Sequence, residues 1–284
     1  QRQMCIRDRA TVQTQHEYWR ESLFFIAHPP DGLGDVVILT MATFPLRGVM
    51  DSLQMGNIGG VKVLAHSERP HDGDPHTMVT PASRIEIVQP FEEIRLWADP
   101  AQSSLGMELT FTARTQPYAL RRGSMRAGNE LIWDQSHMLQ SGTYNGTYTY
   151  QGTTHQVSDW WGQRDHSWGI RNHGRCPMWM WLQLQFDDGF LGVWHWEFAN
   201  GAQVYSDGCW APSDGGTPVP LIGFSHDFTW LQADGTPARY GDHGDSVALL
   251  RGSATFTLAF GSAVLCAAML TPRKRFSSVL WNCG

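Results

Sequence analysis

Between residues 178 and 198 the chain alternates with a period of two, and that pattern constrains its fold more than any other feature. Met178-Trp179-Met180-Trp181-Leu182-Gln183-Leu184-Gln185-Phe186 places Trp179, Trp181, Gln183 and Gln185 on one face, and Asp187-Asp188-Gly189 then turns the chain. Phe190 to Phe198 answers as the return strand, with Val193, His195 and Glu197 on one face and Trp194, Trp196 and Phe198 on the other. Side chains two residues apart share a face only in a strand, so no helix accommodates this segment. The period defines two faces without saying which one is inside.

The same style runs along the chain. Phe24-Phe25-Ile26, Val36 to Phe44, Val61 to Ala65, Arg84 to Val88, Ile94 to Trp97 and Met107 to Thr112 read as short strands, separated by Gly, Pro and Asp turns. Val61 to Ala65 leads into a polar, His-rich loop from His66 to His76. Only Glu17 to Phe25 carries an arguable helical period. Asn145-Gly146 reads as a tight turn inside the Gly/Thr/Tyr-rich stretch 141–155. Further runs follow at 203–210, 224–231, 247–250, 254–260, 263–270 and 276–282. Many short strands with regular turn signals predict an all-β chain of barrels or sandwiches. With 284 residues, two β-domains are expected, residues 10–156 and 157–284, meeting near residue 156. The first nine residues, QRQMCIRDR, resemble adapter read-through from an environmental assembly and are expected to be a non-native leader.

Composition removes several functions. The net charge is −6, and the only basic cluster is Arg273-Lys274-Arg275, so the electrostatic footprint of a nucleic-acid binder is missing. No run reaches the length of a membrane span and no apolar signal region opens the chain. The five Cys are odd in number and far apart, which predicts buried thiols in a reducing, cytoplasmic compartment. A bridge between Cys266 and Cys283 is the alternative. No phosphate-binding glycine loop is present, and His66, His71 and His76 match no ligand spacing, so neither a cofactor nor a metal is expected.

Chemistry concentrates in Ser158-Asp159-Trp160-Trp161-Gly162-Gln163-Arg164-Asp165-His166-Ser167-Trp168-Gly169-Ile170-Arg171. Eight of the 13 Trp lie between Trp160 and Trp210. The run from Trp161 to Arg171, with Ser136-His137 and Ser141-Gly142 upstream, resembles a bacterial hydroxyneurosporene-synthase-like family, related at fold level to carotenoid hydratases and more distantly to fungal Diels–Alder cyclases. The resemblance covers roughly residues 15 to 284. It implies two packed lipocalin-like β-domains holding a small apolar ligand in or between them.

Asp165 is the candidate acid. Adding water to an alkene requires a strong proton donor and a setting in which a cation survives. A carboxyl kept protonated by apolar surroundings supplies the first, and indole faces supply the second. The competing reading pairs Asp165 with Arg164 or Arg171 and makes it a structural pin. His166 is a candidate base or an orienting group. Trp160, Trp161, Arg164, Trp168, Arg171, Trp179 and Trp181 are candidate ligand contacts, and so are His195 and Glu197 if their face is the inner one. The expected function is a cofactor-independent enzyme that hydrates, dehydrates or cyclises a terpenoid- or lipid-like substrate in a Trp-lined cavity. A non-catalytic carrier of a hydrophobic ligand is the alternative.

Overall fold

In the computed structural model, which describes residues 14–71, 77–172, 175, 178–198, 200–231, 236, 249–251, 253–258, 264–269 and 278–282, the period-two pattern becomes strands throughout. They are β1 (Trp19–His28), β2 (Val36–Phe44), β3 (Val49–Ile58), β4 (Val61–Pro70), β5 (Val79–Thr80), β6 (Ser83–Gln89), β7 (Glu93–Ala98), β8 (Leu105–Ala113), β9 (Tyr118–Ala119), β10 (Gly123–Ala127), β11 (Glu130–Tyr150) and β12 (Thr153–Arg171) in the first part of the chain. There follow β13 (Met178–Phe186), β14 (Gly189–Glu197), β15 (Gln203–Pro212), β16 (Val219–His226), β17 (Thr229–Leu231), β18 (Leu249–Arg251), β19 (Ser253–Leu258), β20 (Val264–Met269) and β21 (Ser278–Asn282). Helix is confined to 3-10 pieces among the described residues, the three-residue turn Pro45–Arg47 and Arg175. The all-β class is as expected, and residues 19–25 are strand.

The first twelve strands form one antiparallel sheet, ordered β4-β3-β2-β1-β12-β11-β8-β7-β6-β5, with β9 and β10 also on β11. The sheet curls until its ends nearly meet: Ser52 Oγ and Thr80 Oγ1 lie 2.8 Å apart, Arg69 Nε donates to Val79 O at 2.6 Å, and Ala82 N donates to Ser67 Oγ at 3.2 Å. Leu23, Phe25, Met41, Phe111 and Tyr144 fill its interior. The second sheet, ordered β20-β19-β16-β15-β14-β13-β21, curls around Met180, Leu182, Val193, Leu221 and Phe256.

A third core joins the two sheets. Ile26, Trp133 and Leu139 of the first meet Trp181, Phe190, Trp194 and Trp196 of the second, and Trp133 stacks on Trp196 with centroids 4.1 Å apart. The inner hairpin β13–β14 is therefore buried on both faces, one against the first barrel and one inside its own. Gln185 pins the junction: Ser141 Oγ donates to its Oε1 at 2.6 Å, and its Nε2 donates to Gln163 Oε1 at 2.9 Å and Gly162 O at 3.1 Å.

Three local expectations change. Asn145-Gly146 lies inside the 21-residue strand β11 at a register shift, not in a turn. Gly146 takes φ 137°, and Asn145 Oδ1 accepts from Asp159 N at 2.9 Å, so the pair makes a bulge against β12. The turn comes at Gln151-Gly152. His66 belongs to β4, which runs on to Pro70; Asp72, Asp74 and His76 lie outside the described residues, as do the leader and the thiols of Cys266 and Cys283. Cys209 is a buried free thiol. Residue 156 falls within β12, which pairs with β11 and, from Trp161 onward, with β1; the chain leaves the first sheet after Arg171 and enters the second at Met178. Among the described residues no helix is long and apolar enough to cross a membrane.

β12 is held tightly by its glycines. A Cβ on Gly162 would stand 1.8 Å from Ile26 O, and one on Gly169, at φ 130°, would stand 2.2 Å from Asp134 O. These close approaches fix the register in which β12 presents its side chains.

Candidate active site

Alternation along β12 sorts the ionisable run onto two faces. Asp165, Ser167 and Arg171 point to the junction between the sheets. Arg164, His166 and Trp168 point into the first barrel. β1 follows the same rule, because Phe24 stands opposite Asp165 and Ser22 opposite Ser167 in the antiparallel register. The result is a pocket of about 240 Å³ between the sheets. Its polar wall comes from Arg20, Ser22, Asp51, His137, Asp165 and Arg171, and its aromatic wall from Phe24, Trp179, Trp181 and Trp194. Two larger surface depressions lack this convergence. One of about 490 Å³ lies beside Lys62, Thr149 and Gly152, and one of about 510 Å³ among the surface charges Arg84, Glu86, Arg95 and Glu108.

Asp165 is 7% exposed. Burial raises its pKa to about 7, against the pull of the Arg171 and Arg20 guanidiniums. Its Oδ2 lies 3.4 Å from His137 Nε2. Arg171 Nη2 stands 3.2 Å from that same nitrogen, and Arg171 Nε donates to Gln135 Oε1 at 2.8 Å. A guanidinium only donates, so His137 Nε2 is an acceptor and its ring proton sits on Nδ1. Burial, reinforced by Arg171, Arg20 and His166, keeps the His137 pKa well below the ordinary imidazole value. A neutral imidazole cannot hold Asp165 as a carboxylate, but it can accept the proton of the acid. Asp51 also has its pKa raised, by burial, with Arg20 and His66 opposing.

The aromatic wall is stacked and rigid. Trp179 and Trp194 stack at 4.9 Å, His137 lies 4.4 Å from Trp194, Phe24 meets Trp181 edge-on at 5.3 Å, and Arg171 Cζ lies 5.5 Å over Trp194. The ring N–H groups of Trp179, Trp181 and Trp194 meet no acceptor among the described residues.

The structure thus brings together Asp165, Arg171, Trp179 and Trp181 of the expected set. Elsewhere, Trp160 packs on the first barrel beside Tyr148, and Trp161 lies under the Arg114 guanidinium at 4.4 Å. Arg164 is fully buried inside the first barrel, donates from Nε to Gln140 Oε1 at 2.8 Å and stacks over Phe91. His166 Nε2 is 2.9 Å from Glu21 Oε1, on the face away from Asp165, and Trp168 joins Trp19 and Ile170 in a small separate core. His195 and Glu197 face the interior of the second sheet. There Glu197 Oε2 is 3.1 Å from His195 Nε2 and 3.0 Å from His226 Nε2, and hydrogen bonds from these two imidazoles lower its pKa to about 2.

Arg20, Asp51 and Trp194 were not expected at the site, and His137 entered only through the resemblance. Arg20 and Asp51 come from strands more than a hundred residues away in sequence, where no local pattern marks them. Trp194 is legible as one face of β14, once that face is known to meet the first barrel.

Among the solved structures that share the fold are the following two. A Nitrosomonas europaea protein provisionally described as an AttH aligns with TM-score 0.55 and 12% identity, covering 86% of this chain and 90% of the other. Kievitone hydratase from Nectria haematococca aligns with TM-score 0.52 and 10% identity, covering 84% of this chain and 73% of the other. No curated protein matches the sequence. Residues 4–234, most of the chain, match the model of a family of unknown function (DUF8625), and the chain belongs to that family.

Proposed function

We propose that the pocket between the sheets is an acid-catalysed active site for a small apolar substrate of terpenoid or lipid type, adding or removing water or closing a ring. The observation that carries this reading is Asp165: a buried carboxyl, with its pKa raised to about 7, in a pocket whose far wall is three indoles. Its neighbours fit the role. For hydration, the Asp165 O–H bond breaks as a C–H bond forms on the alkene, and the indole faces stabilise the resulting cation through their quadrupoles. Water then adds to the cation and returns its proton to the Asp165 carboxylate, directly or through His137 Nε2. Arg171 and Arg20 stabilise the transient carboxylate, which keeps the acid strong enough to donate. Dehydration is the same sequence reversed; in cyclisation a second alkene carbon takes the place of water, and the new cation then loses a C–H proton to the Asp165 carboxylate. A volume of about 240 Å³ favours a short substrate or one end of a longer one. The likeness to kievitone hydratase supports the fold's suitability for hydration, and the name of that protein adds no substrate to this chain.

The test is a panel of small terpenoid alkenes and tertiary allylic alcohols incubated in D2O, with mass spectrometry of the products. Hydration or cyclisation with deuterium fixed to carbon, or loss of water from the alcohols, reduced by on the order of a hundredfold or more in Asp165→Asn, supports the proposal. Stoichiometric binding of these compounds without turnover makes the protein a carrier instead. Turnover unchanged in Asp165→Asn removes the acid from the mechanism.

A further inference from the structure

On the far side of β14 from the pocket lies a second convergence of polar groups. Its residues are His195 and Glu197, two apart and therefore on one face of the strand, and His226 at the end of β16. His195 and Glu197 were noted from the alternation, but their partner lies 29 residues beyond Glu197, a spacing that signals nothing in sequence. Both Nε2 atoms face the same carboxylate oxygen, at 3.1 and 3.0 Å, and one ligand atom from each of the three residues lies within 4.8 Å of the others. The imidazole rings are perpendicular, with centroids 5.5 Å apart, so their lone-pair directions converge from two sides rather than run parallel. Aromatic side chains fix the rings: Phe224 against His195 at 5.0 Å, Phe228 stacked on His226 at 4.9 Å, and Phe256 behind Phe224 at 5.3 Å.

We infer that His195, Glu197 and His226 form a binding site for a divalent transition-metal ion of the zinc type. Bonds of about 2.0 to 2.2 Å to nitrogen and oxygen place tetrahedral ligand atoms roughly 3.3 Å apart, close to the two nitrogen–oxygen spacings of 3.1 and 3.0 Å already present, with all three atoms within 4.8 Å. Two imidazoles and one carboxylate select a zinc-like ion over magnesium or calcium, which take oxygen ligands. The aromatic collar is low in dielectric, which strengthens the attraction of a dication to Glu197. Three protein ligands leave a fourth tetrahedral position for water. Phe228 N lies 3.3 Å from His226 Nδ1, which makes that nitrogen the acceptor when the ring proton sits on Nε2. Coordination at Nε2 moves the ring proton to Nδ1 and breaks this long contact, so the Phe228 amide reports on occupancy. The ion would tie β14 to the end of β16 and hold the second sheet in its curl, converting binding energy into folding energy. This site stands on geometry separate from the pocket and does not depend on the proposed acid chemistry.

The experiment uses the tag-free full chain, stripped with chelator and titrated with Zn2+ by calorimetry, with thermal melts of the stripped and loaded forms. One ion per chain, a midpoint rise on the order of 5 °C or more, and loss of both in Glu197→Gln and His226→Ala support the site. His226→Ala serves as the second variant should circular dichroism show Glu197→Gln to be unfolded. His71→Ala is the control for the His-bearing segment after β4 and should leave the binding unchanged. Absence of stoichiometric binding by the parent chain overturns the inference. So does binding that survives in the folded His226→Ala variant, or that disappears in His71→Ala.

Discussion

Asp165→Asn separates an acid from a structural ion pair through stability alone, before any substrate is known. The Asp165 pKa, raised from an ordinary 3.8 to about 7, means the folded chain binds its proton more tightly than the unfolded chain does. A raised carboxyl pKa gives stability that is whole below the unfolded value and is lost as pH rises toward the folded value. The loss therefore begins near pH 4 and is nearly complete by pH 8. At 1.36 kcal/mol per pH unit it reaches ~4 kcal/mol, with ~2 kcal/mol already gone at pH 5. Asparagine has the shape of the protonated acid, and its amide can donate toward His137 Nε2 as the acid proton does. It cannot ionise, so the variant escapes the loss. The expectation is that Asp165→Asn matches the parent near pH 4 and exceeds it by ~4 kcal/mol at pH 8, on the order of 10 °C in midpoint. Urea unfolding and thermal melts across pH 4 to 8.5 measure both curves. If the variant is instead less stable at pH 8 by ~3 kcal/mol or more, Asp165 is the buried partner of Arg171 and Arg20. The proposed acid would then be wrong.

Other substitutions test the surroundings. His166→Ala removes the imidazole 2.9 Å from buried Glu21 and should cost ~3 kcal/mol in urea, while the folded fraction keeps whatever ligand the pocket binds. Trp133→Ala opens a hole under Trp196 at the junction of the sheets and should cost roughly 3 to 5 kcal/mol by the same measurement. Gly162→Ala places a methyl carbon against Ile26 O and should leave little soluble protein, because β1 and β12 cannot separate without disturbing both of the cores they border. Gln185→Leu strips the polar partners of Ser141 and Gln163 and should cost about 1 to 3 kcal/mol, with no change in the pH dependence assigned to Asp165.

Alternation and short β-rich runs were enough to read β-structure along the chain, because the segments around Val36, Met107, Met178 and Phe190 send successive side chains to opposite faces. It could not say which face of β13 and β14 is inside, since neither face is outside: Val193 and His195 fill one core and Trp194 and Trp196 another. The crossing point between sheets was obscured for a related reason. β11 and β12 are 21 and 19 residues long, so the Gly/Thr/Tyr-rich stretch that looked like a boundary is the far half of a long hairpin. The cluster of ionisable residues from Arg164 to Arg171 was legible as special, but a strand deals such a cluster to both faces. Asp165 and Arg171 therefore reached the pocket while Arg164, His166 and Trp168 went to the first barrel. Arg20 and Asp51 were invisible, because only antiparallel register brings β1, β3 and β12 to one wall.

The double burial of β14 restricts how this chain can change length. Trp194 belongs to the pocket and His195, the next residue, to the cluster with Glu197 and His226, so the strand is a partition with different chemistry on its two sides. Inserting or deleting a single residue after Gly189 would exchange them, turning indoles toward His226 and carrying His195 and Glu197 to the side of Asp165. A two-residue change would preserve each face and merely displace it by one pleat. Length variation within this hairpin should therefore come in pairs, or be confined to the Asp187-Asp188 turn, where neither side of the partition is at stake.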